Sequence, residues 1–328
     1  MLKRRSQNKQ RDFCEVAGSV DTSPVGVFKN VRPPRPSRLV LLLKLLGYDI
    51  RFGFAGNKSL FILTFVTFFI LAFMFFNQVN NLLSHLSPVI ISGEIVYIDP
   101  SLESPSFVDY LLSFFKGIEV YVPSLDRPFT LPVFWMALQV AVALLIVVYP
   151  SRDLYTYASQ VITRAQSKWM WWISKCLWVV VTVLAFYAIG FAVAFVAGLI
   201  SGGGIFERNV GIEYYLNGLN ITNLKSSDFL FLFLLPVVVT LALSLLQMAL
   251  SFIIKPVISF MALMSYHLIS WVIFSPFLIA DYSMIKRNGL FYSQGLTSEL
   301  MLFVCVALTL VVILAGIPFF RRMSIYPK

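Results

Sequence analysis

Six stretches of this chain are about as long as the ~20 apolar residues that a helix needs to cross a hydrocarbon core, and they dominate what it can fold into. They run about Leu60 to Val79, Leu131 to Tyr149, Trp169 to Ile200, Phe229 to Ile254, Val257 to Ile279 and Leu300 to Phe320. Hydrophobic residues are 58% of the 328 and charged residues 13%, so this apolar surface cannot be wrapped in the charged exterior of a soluble domain, which is roughly 45–50% apolar. Lipid offers no partner to a free backbone N–H or C=O, so the expected fold is an all-α membrane protein of six transmembrane helices. The third stretch is too long for a straight span and is expected to extend beyond the lipid. Only Lys255-Pro256 separates the fourth from the fifth. Met1 to Lys58 is polar, basic and proline-broken, unlike a cleavable signal peptide.

Lys and Arg set the orientation. With the N-terminus inside, 20 of the 26 basic residues fall on inner segments and 11 of the 16 acids on outer ones. The opposite topology reverses the bias, so both termini are expected in the cytoplasm and the chain in the cytoplasmic membrane, multi-pass. The net charge of +10 then reads as a basic cytosolic face that attracts anionic membrane lipid. No nucleic-acid partner is expected, since no basic and aromatic recognition module is visible.

The spans hold almost nothing ionisable, whereas intramembrane enzymes gather such groups at depth. His267 is the only histidine within a span, and His85 lies in an outer loop. One histidine builds no metal site, and no HExxH or GxSxG occurs. Ser201-Gly202-Gly203-Gly204 lacks the Gly-Lys-Ser/Thr of a phosphate loop and reads as the exit from the third helix. Cys14, Cys176 and Cys305 form no obvious pair. The expectation is no catalytic residue, no metal and no cofactor in this chain; energy for uphill movement would come from another subunit or from an ion gradient, for which no coupling residues are visible.

Two inner segments carry more information. In Ser37 to Phe52, Leu39, Leu42, Leu43, Leu46 and Ile50 recur at helical spacing, with Lys44, Tyr48 and Arg51 on the opposite face. Too short to span, this reads as an interfacial amphipathic helix, or as an anchor that sets the angle of the first span. In the second-to-third connection, Pro150 is expected to end the second span, Ser151 to cap a new helix, and Asp153 to suit its first turn. Arg164 and Lys168 follow one turn apart, and Trp169, Trp171 and Trp172 make an aromatic belt.

These parts resemble the permease subunits of ABC-2 type transporters. The resemblance rests on the K-L-L-G-Y-D-I-R-F-G-F-A-G-N-K segment from Lys44 to Lys58, on Y-P-S-R at Tyr149 to Arg152 with W-I-S-K at Trp172 to Lys175, and on six spans with an outer segment between the last two. It implies the membrane subunit of an ABC exporter that moves an apolar or amphipathic substrate (peptide, drug or lipid-like) by alternating access. A second permease copy, in a homo- or heterodimer, and a separate nucleotide-binding ATPase holding ATP and Mg would be its partners. By position, the ATPase contacts would be Ser151, Arg152, Asp153, Leu154 and Tyr155, supported by Lys44, Tyr48 and Arg51.

The expected organisation is a basic cytosolic tail (1–36), the interfacial helix and approach (37–58), the transmembrane domain (59–322) and a short cytosolic tail (323–328). The transmembrane domain includes outer loop 80–130, coupling segment 150–168 and outer segment 280–299. The outer loop, with six acids, is longer than in many such permeases; it contains a short helix at Asp109 to Phe115 and forms either an outer lid or an inert packed loop. Asn220-Ile221-Thr222 is an outer sequon. Phe260, Met261, Met264, His267 and Trp271 on the fifth span are candidates for a substrate path, since Met and aromatic side chains adapt to varied apolar shapes; ordinary helix packing has the same composition. A non-transporting multi-span protein (an immunity or assembly factor) and a channel are the alternatives.

Overall fold

The computed structural model describes residues 37–85, 89–91, 94–96, 104–120, 131–156, 167–204, 209–219, 226–275, 277–292, 294, 295 and 297–322. The expected tails at 1–36 and 323–328, Cys14, Arg164 and the sequon at Asn220 lie outside the described residues. The elements are α1 (Arg38–Gly56), α2 (Lys58–His85), β1 (Val89–Ile91), β2 (Glu94–Val96), α3 (Phe107–Phe115), α4 (Val133–Thr156), α5 (Lys168–Ser201), α6 (Ser226–Ile253), α7 (Pro256–Val272) and α8 (Ser298–Arg322). The two strands form one antiparallel hairpin with Val89 opposite Val96.

Five helices, α2, α4, α5, α6 and α8, are long and apolar enough to cross a membrane, as expected of a multi-pass membrane protein. The outward sides of α2, α7 and α8 are apolar as well: Phe65, Phe69 and Phe73, then Val257 and Met261, then Phe303 and Leu314, are all exposed. A chain in water would bury such rows.

The fifth apolar stretch departs from expectation. Helix α7 has 17 residues, about 25 Å at 1.5 Å per residue, and stops at Val272 rather than running on to Ile279. Arg287 ends it. Its guanidinium donates to the carbonyls of Ser270 and Trp271, the acceptors that a helix C-terminus leaves open, and to Ile118 O at 3.2 Å. Asp281 pairs with it at 2.5 Å, with both side chains fully buried. Residues 279–287 then fold as two short 3-10 turns, Ile279–Ser283 and Ile285–Arg287. Trp135, near the start of α4, donates its indole N–H to Ser283 Oγ at 2.8 Å.

Pro150 does not end the second span. Helix α4 continues through it to Thr156. Proline removes one ladder bond at a cost of about 3 kcal/mol, and Tyr149, Ser151 and Asp153 around it all make tertiary hydrogen bonds. Ser151 is therefore a mid-helix residue and not an N-cap.

The short helix expected between the first two spans is present and slightly longer than expected. Ser106 caps α3 in a reciprocal box with Asp109: Ser106 N–H donates to the Asp109 carboxylate at 2.9 Å, and Asp109 N–H to Ser106 Oγ at 3.3 Å. Every residue from Val108 to Phe115 is buried, so this helix is no surface lid. Phe114 meets Phe68 at 5.4 Å, Tyr110 meets Phe75 at 5.2 Å and Phe115 stacks on Tyr187 at 5.4 Å between ring centroids. Together with Phe186 these rings from α2, α3 and α5 join the main core. The α3 backbone approaches α5 at Gly198, where a Cβ would stand 2.6 Å from Phe107 N.

Gly198→Val is expected to push α3 out of register and to cost about 1–3 kcal/mol, read as a lower thermal midpoint of the purified protein in detergent. Arg287→Gln strands a buried carboxylate and leaves carbonyls at the end of α7 unpaired, for an expected loss of about 3–5 kcal/mol. Burial already pushes the Asp281 carboxyl up to about 6 against the pull of Arg287, from an ordinary value of 3.8. Without the guanidinium it rises further. The folded variant then binds a proton that its unfolded chain does not, so its stability increases as the pH is lowered from 7 toward 4, as a pH series of melting curves would record.

Candidate functional site

Helix α1 presents Leu45, Asp49 and Gly53 to the protein at a spacing of four, the register that lines up one helix face. This face differs from the expected apolar one: Leu39, Leu43 and Ile50 are exposed. Leu45 packs with Leu41, Met170 and Trp169, seating α1 on the start of α5. Asp49 sits one turn further along, buried against Lys175 and the hydroxyls of Tyr149 and Ser174.

Lys175 Nζ is 2.5 Å from Asp49 Oδ1 and 2.7 Å from Asp153 Oδ2; its own side chain is 0% exposed, and those of the two acids 3% and 2%. The remaining lone pairs are supplied locally. Tyr149 OH donates to Asp49 Oδ1 at 2.9 Å, Ser174 Oγ to Asp49 Oδ2 at 2.5 Å, and Trp171 Nε1 to Asp153 Oδ2 at 3.2 Å. The ammonium also lies 4.5 Å from the centroid of the Tyr149 ring and 5.3 Å from that of Trp171, within the range of cation–π attraction. One cation thus joins the leading helix, the end of α4 and the start of α5. Each ion alone would be prohibitive to bury, and the assembly is tolerable because every charge is paired and hydrogen-bonded.

The expected coupling residues divide around this cluster. Asp153 is turned inward to Lys175, and Ser151 is buried with its hydroxyl donating to Ser251 Oγ of α6 at 3.2 Å, so neither faces outward in this conformation. Arg152 between them is exposed and lies across Gly56 of α1. Lys44 and Arg51 are exposed, Tyr48 is half-buried against Phe52 at 4.5 Å, and Leu154 is half-buried. The Tyr155 side chain and residues 157–166 of the coupling segment lie outside the described residues.

Four of the five expected path residues, Phe260, Met264, His267 and Trp271, lie on the inward face of α7, and Met261 does not. Phe260 and Met264 pack with Leu235, Val239 and Leu263. His267 and Trp271 are buried, with the imidazole edge-on to Trp135 at 5.2 Å. Met261 is 61% exposed on the outer side of α7. Buried Cys176 and Cys305 are free thiols.

Asp49 and Lys175 stand out as charges in apolar sequence. A lone acid in a helix of leucines and a lone lysine one turn inside an apolar run each need an opposite charge, which is a signal present in the sequence; their pairing across 126 positions is not.

Lys175→Met is expected to destabilise the chain by about 3–5 kcal/mol, since two buried carboxylates lose their counter-ion. Asp49→Asn should cost more than Asp153→Asn, because Asp49 accepts from three side chains and Asp153 from two. Replacing all three ions together (Asp49→Leu, Asp153→Leu, Lys175→Met) should recover most of the loss. Thermal unfolding of the four variants checks this ordering, and a triple variant as unstable as Lys175→Met would refute the electrostatic account.

A family model described as a protein of unknown function (DUF2705) matches residues 107–326. No curated protein and no solved structure matches significantly. The matched region runs from α3 through α8 and takes in Asp153 and Lys175, with α1 and its Asp49 lying ahead of it. The chain belongs to this family of proteins of unknown function, DUF2705.

Proposed function

We propose that this chain is the membrane-spanning permease subunit of an ATP-driven exporter of the ABC-2 type. It would carry an apolar or amphipathic substrate across the cytoplasmic membrane, paired with a second permease copy and powered by a separate nucleotide-binding ATPase. The observation that carries the reading is the Lys175 cluster. Through it, a displacement applied near Arg152 reaches α1, α4 and α5 as one body, as a transporter driven from outside its own chain requires. Buried ion networks resist being pulled apart piecemeal, so motion is transmitted rather than absorbed.

The charge distribution supports the same reading. Lys44, Arg51 and Arg152 are exposed basic residues on or against α1, suited to an acidic face on a partner and to anionic lipid. Counting α7 as the fifth crossing, the chain has six spans with both termini in the cytoplasm and α1 in the interface. ATP and Mg belong to the ATPase.

Co-expression with candidate ATPases provides the test. The expected outcome is a stable complex whose ATP-dependent transport falls at least tenfold when Arg51 and Arg152 are both changed to Ala, with the melting temperature unchanged. Failure of any nucleotide-binding subunit to co-purify, together with full activity of the double variant, would overturn the proposal in favour of a non-transporting membrane protein. Ion currents in the absence of ATP would favour a channel.

A further inference from the structure

Far from the Lys175 cluster, two lysines meet at a short irregular turn. Residues Glu213–Asn217 form a π-helical turn closed by Gly218 in the left-handed region, φ 60°. Lys116, just past α3, donates its ammonium to Leu216 O at 3.0 Å, and its backbone carbonyl accepts from Lys286 N–H at 3.1 Å. Lys286 reaches over Gly218, where a Cβ would stand 2.7 Å from its Nζ. A cavity of about 290 Å³ opens there, walled by Lys286, Gly218, Glu119, Val120, Phe291 and Tyr292.

Among the described residues, the facing charges of this cavity pair loosely. Glu119 reaches Lys286 only at 3.7 Å, and its side chain is 61% exposed, so water weakens the pair. Lys116 stands behind as a second cation. Burial, and then the charge of Lys286, lower its ammonium to about 8 from an ordinary 10.5. An anion set against the Lys286 ammonium from the open side offsets the positive charge that Lys286 turns toward Lys116. The other described lining residues, Val120, Leu219, Phe291 and Tyr292, are apolar or aromatic beside Gly218, which suits a carbon chain or ring attached to that anion.

We propose that this pocket binds the phosphate or carboxylate group of an amphipathic molecule, with Lys286 as its direct counter-ion, Lys116 as the supporting charge, and Phe291, Tyr292 and Val120 against its apolar part. Glu119 is the competitor that the ligand displaces. Gly218 takes φ 60°, which other residues rarely adopt, and a Cβ there would crowd the Lys286 ammonium. The site is independent of the transport reading, since it uses none of the residues around Lys175. A membrane lipid headgroup and a water-borne acidic amphiphile share this chemistry.

Calorimetric titration of the full chain in phosphatidylcholine nanodiscs with octyl phosphate, empty discs subtracted, tests it. Saturable binding is expected, weakened at least tenfold by Lys286→Gln and tightened several-fold by Glu119→Gln, with octyl glucoside unable to compete. The Glu119 variant guards against misfolding, because that side chain is largely in water and its effect has the opposite sign. In phosphatidylglycerol discs, a tenfold loss of octyl phosphate affinity in the wild type but not in Lys286→Gln identifies the lipid as the occupant; equal affinity in the two kinds of disc identifies a water-borne ligand. No saturable binding, or binding indifferent to both substitutions, overturns the proposal.

Discussion

One ammonium group, Lys175 Nζ, holds three separate segments in a single piece. Apolar burial cannot do this between membrane helices, because lipid tails are as apolar as leucine and leave little force to choose one helix face over another. A buried charge is different. Its cost falls only when the opposite charge is in contact and the remaining lone pairs are filled, so Asp49, Asp153, Tyr149, Ser174 and Trp171 must all arrive at one place. The same demand explains why α4 runs through Pro150: ending the helix there would carry Asp153 away from its cation.

Helix α4 carries a polar clasp near each end. At its start, Trp135 bonds Ser283 in the segment fixed by the Asp281–Arg287 pair; at its far end stands Asp153. Between them Gln247 and Asn57 donate to the carbonyls of Ala143 and Leu145, and the side-chain packing is largely aromatic and aliphatic, with α3 supplying Tyr110, Phe114 and Phe115 to the core. Ions set the register at the ends and shape sets it in the middle. This division suits a body that keeps its helices aligned while presenting an apolar exterior.

Much of the architecture follows from local rules. The bounds of α5 and α6 lie within a few residues of the apolar stretches that predict them, and the Lys255-Pro256 turn is seen with proline at the first position of α7. Misreadings fall where a distant group intervenes. Pro150 is a helix breaker by local preference, and α7 is apolar enough to continue past Val272, but in each case a charged side chain outside the segment decides. Of the expected path residues, helical spacing sends Met261 outward while Phe260, Met264, His267 and Trp271 stay on the inward face.

The sequence by itself determined that this is a chain of long apolar helices, since hydropathy and backbone hydrogen bonding act within one segment and need no partner. It also determined that Asp49, Lys175, Asp281 and Arg287 would be costly wherever they were buried. Only the tertiary structure decided which charge meets which, that α3 sinks into the core instead of covering it, and where α7 stops. Those outcomes depend on contacts between residues up to 169 positions apart, and a local pattern carries no record of its distant partner.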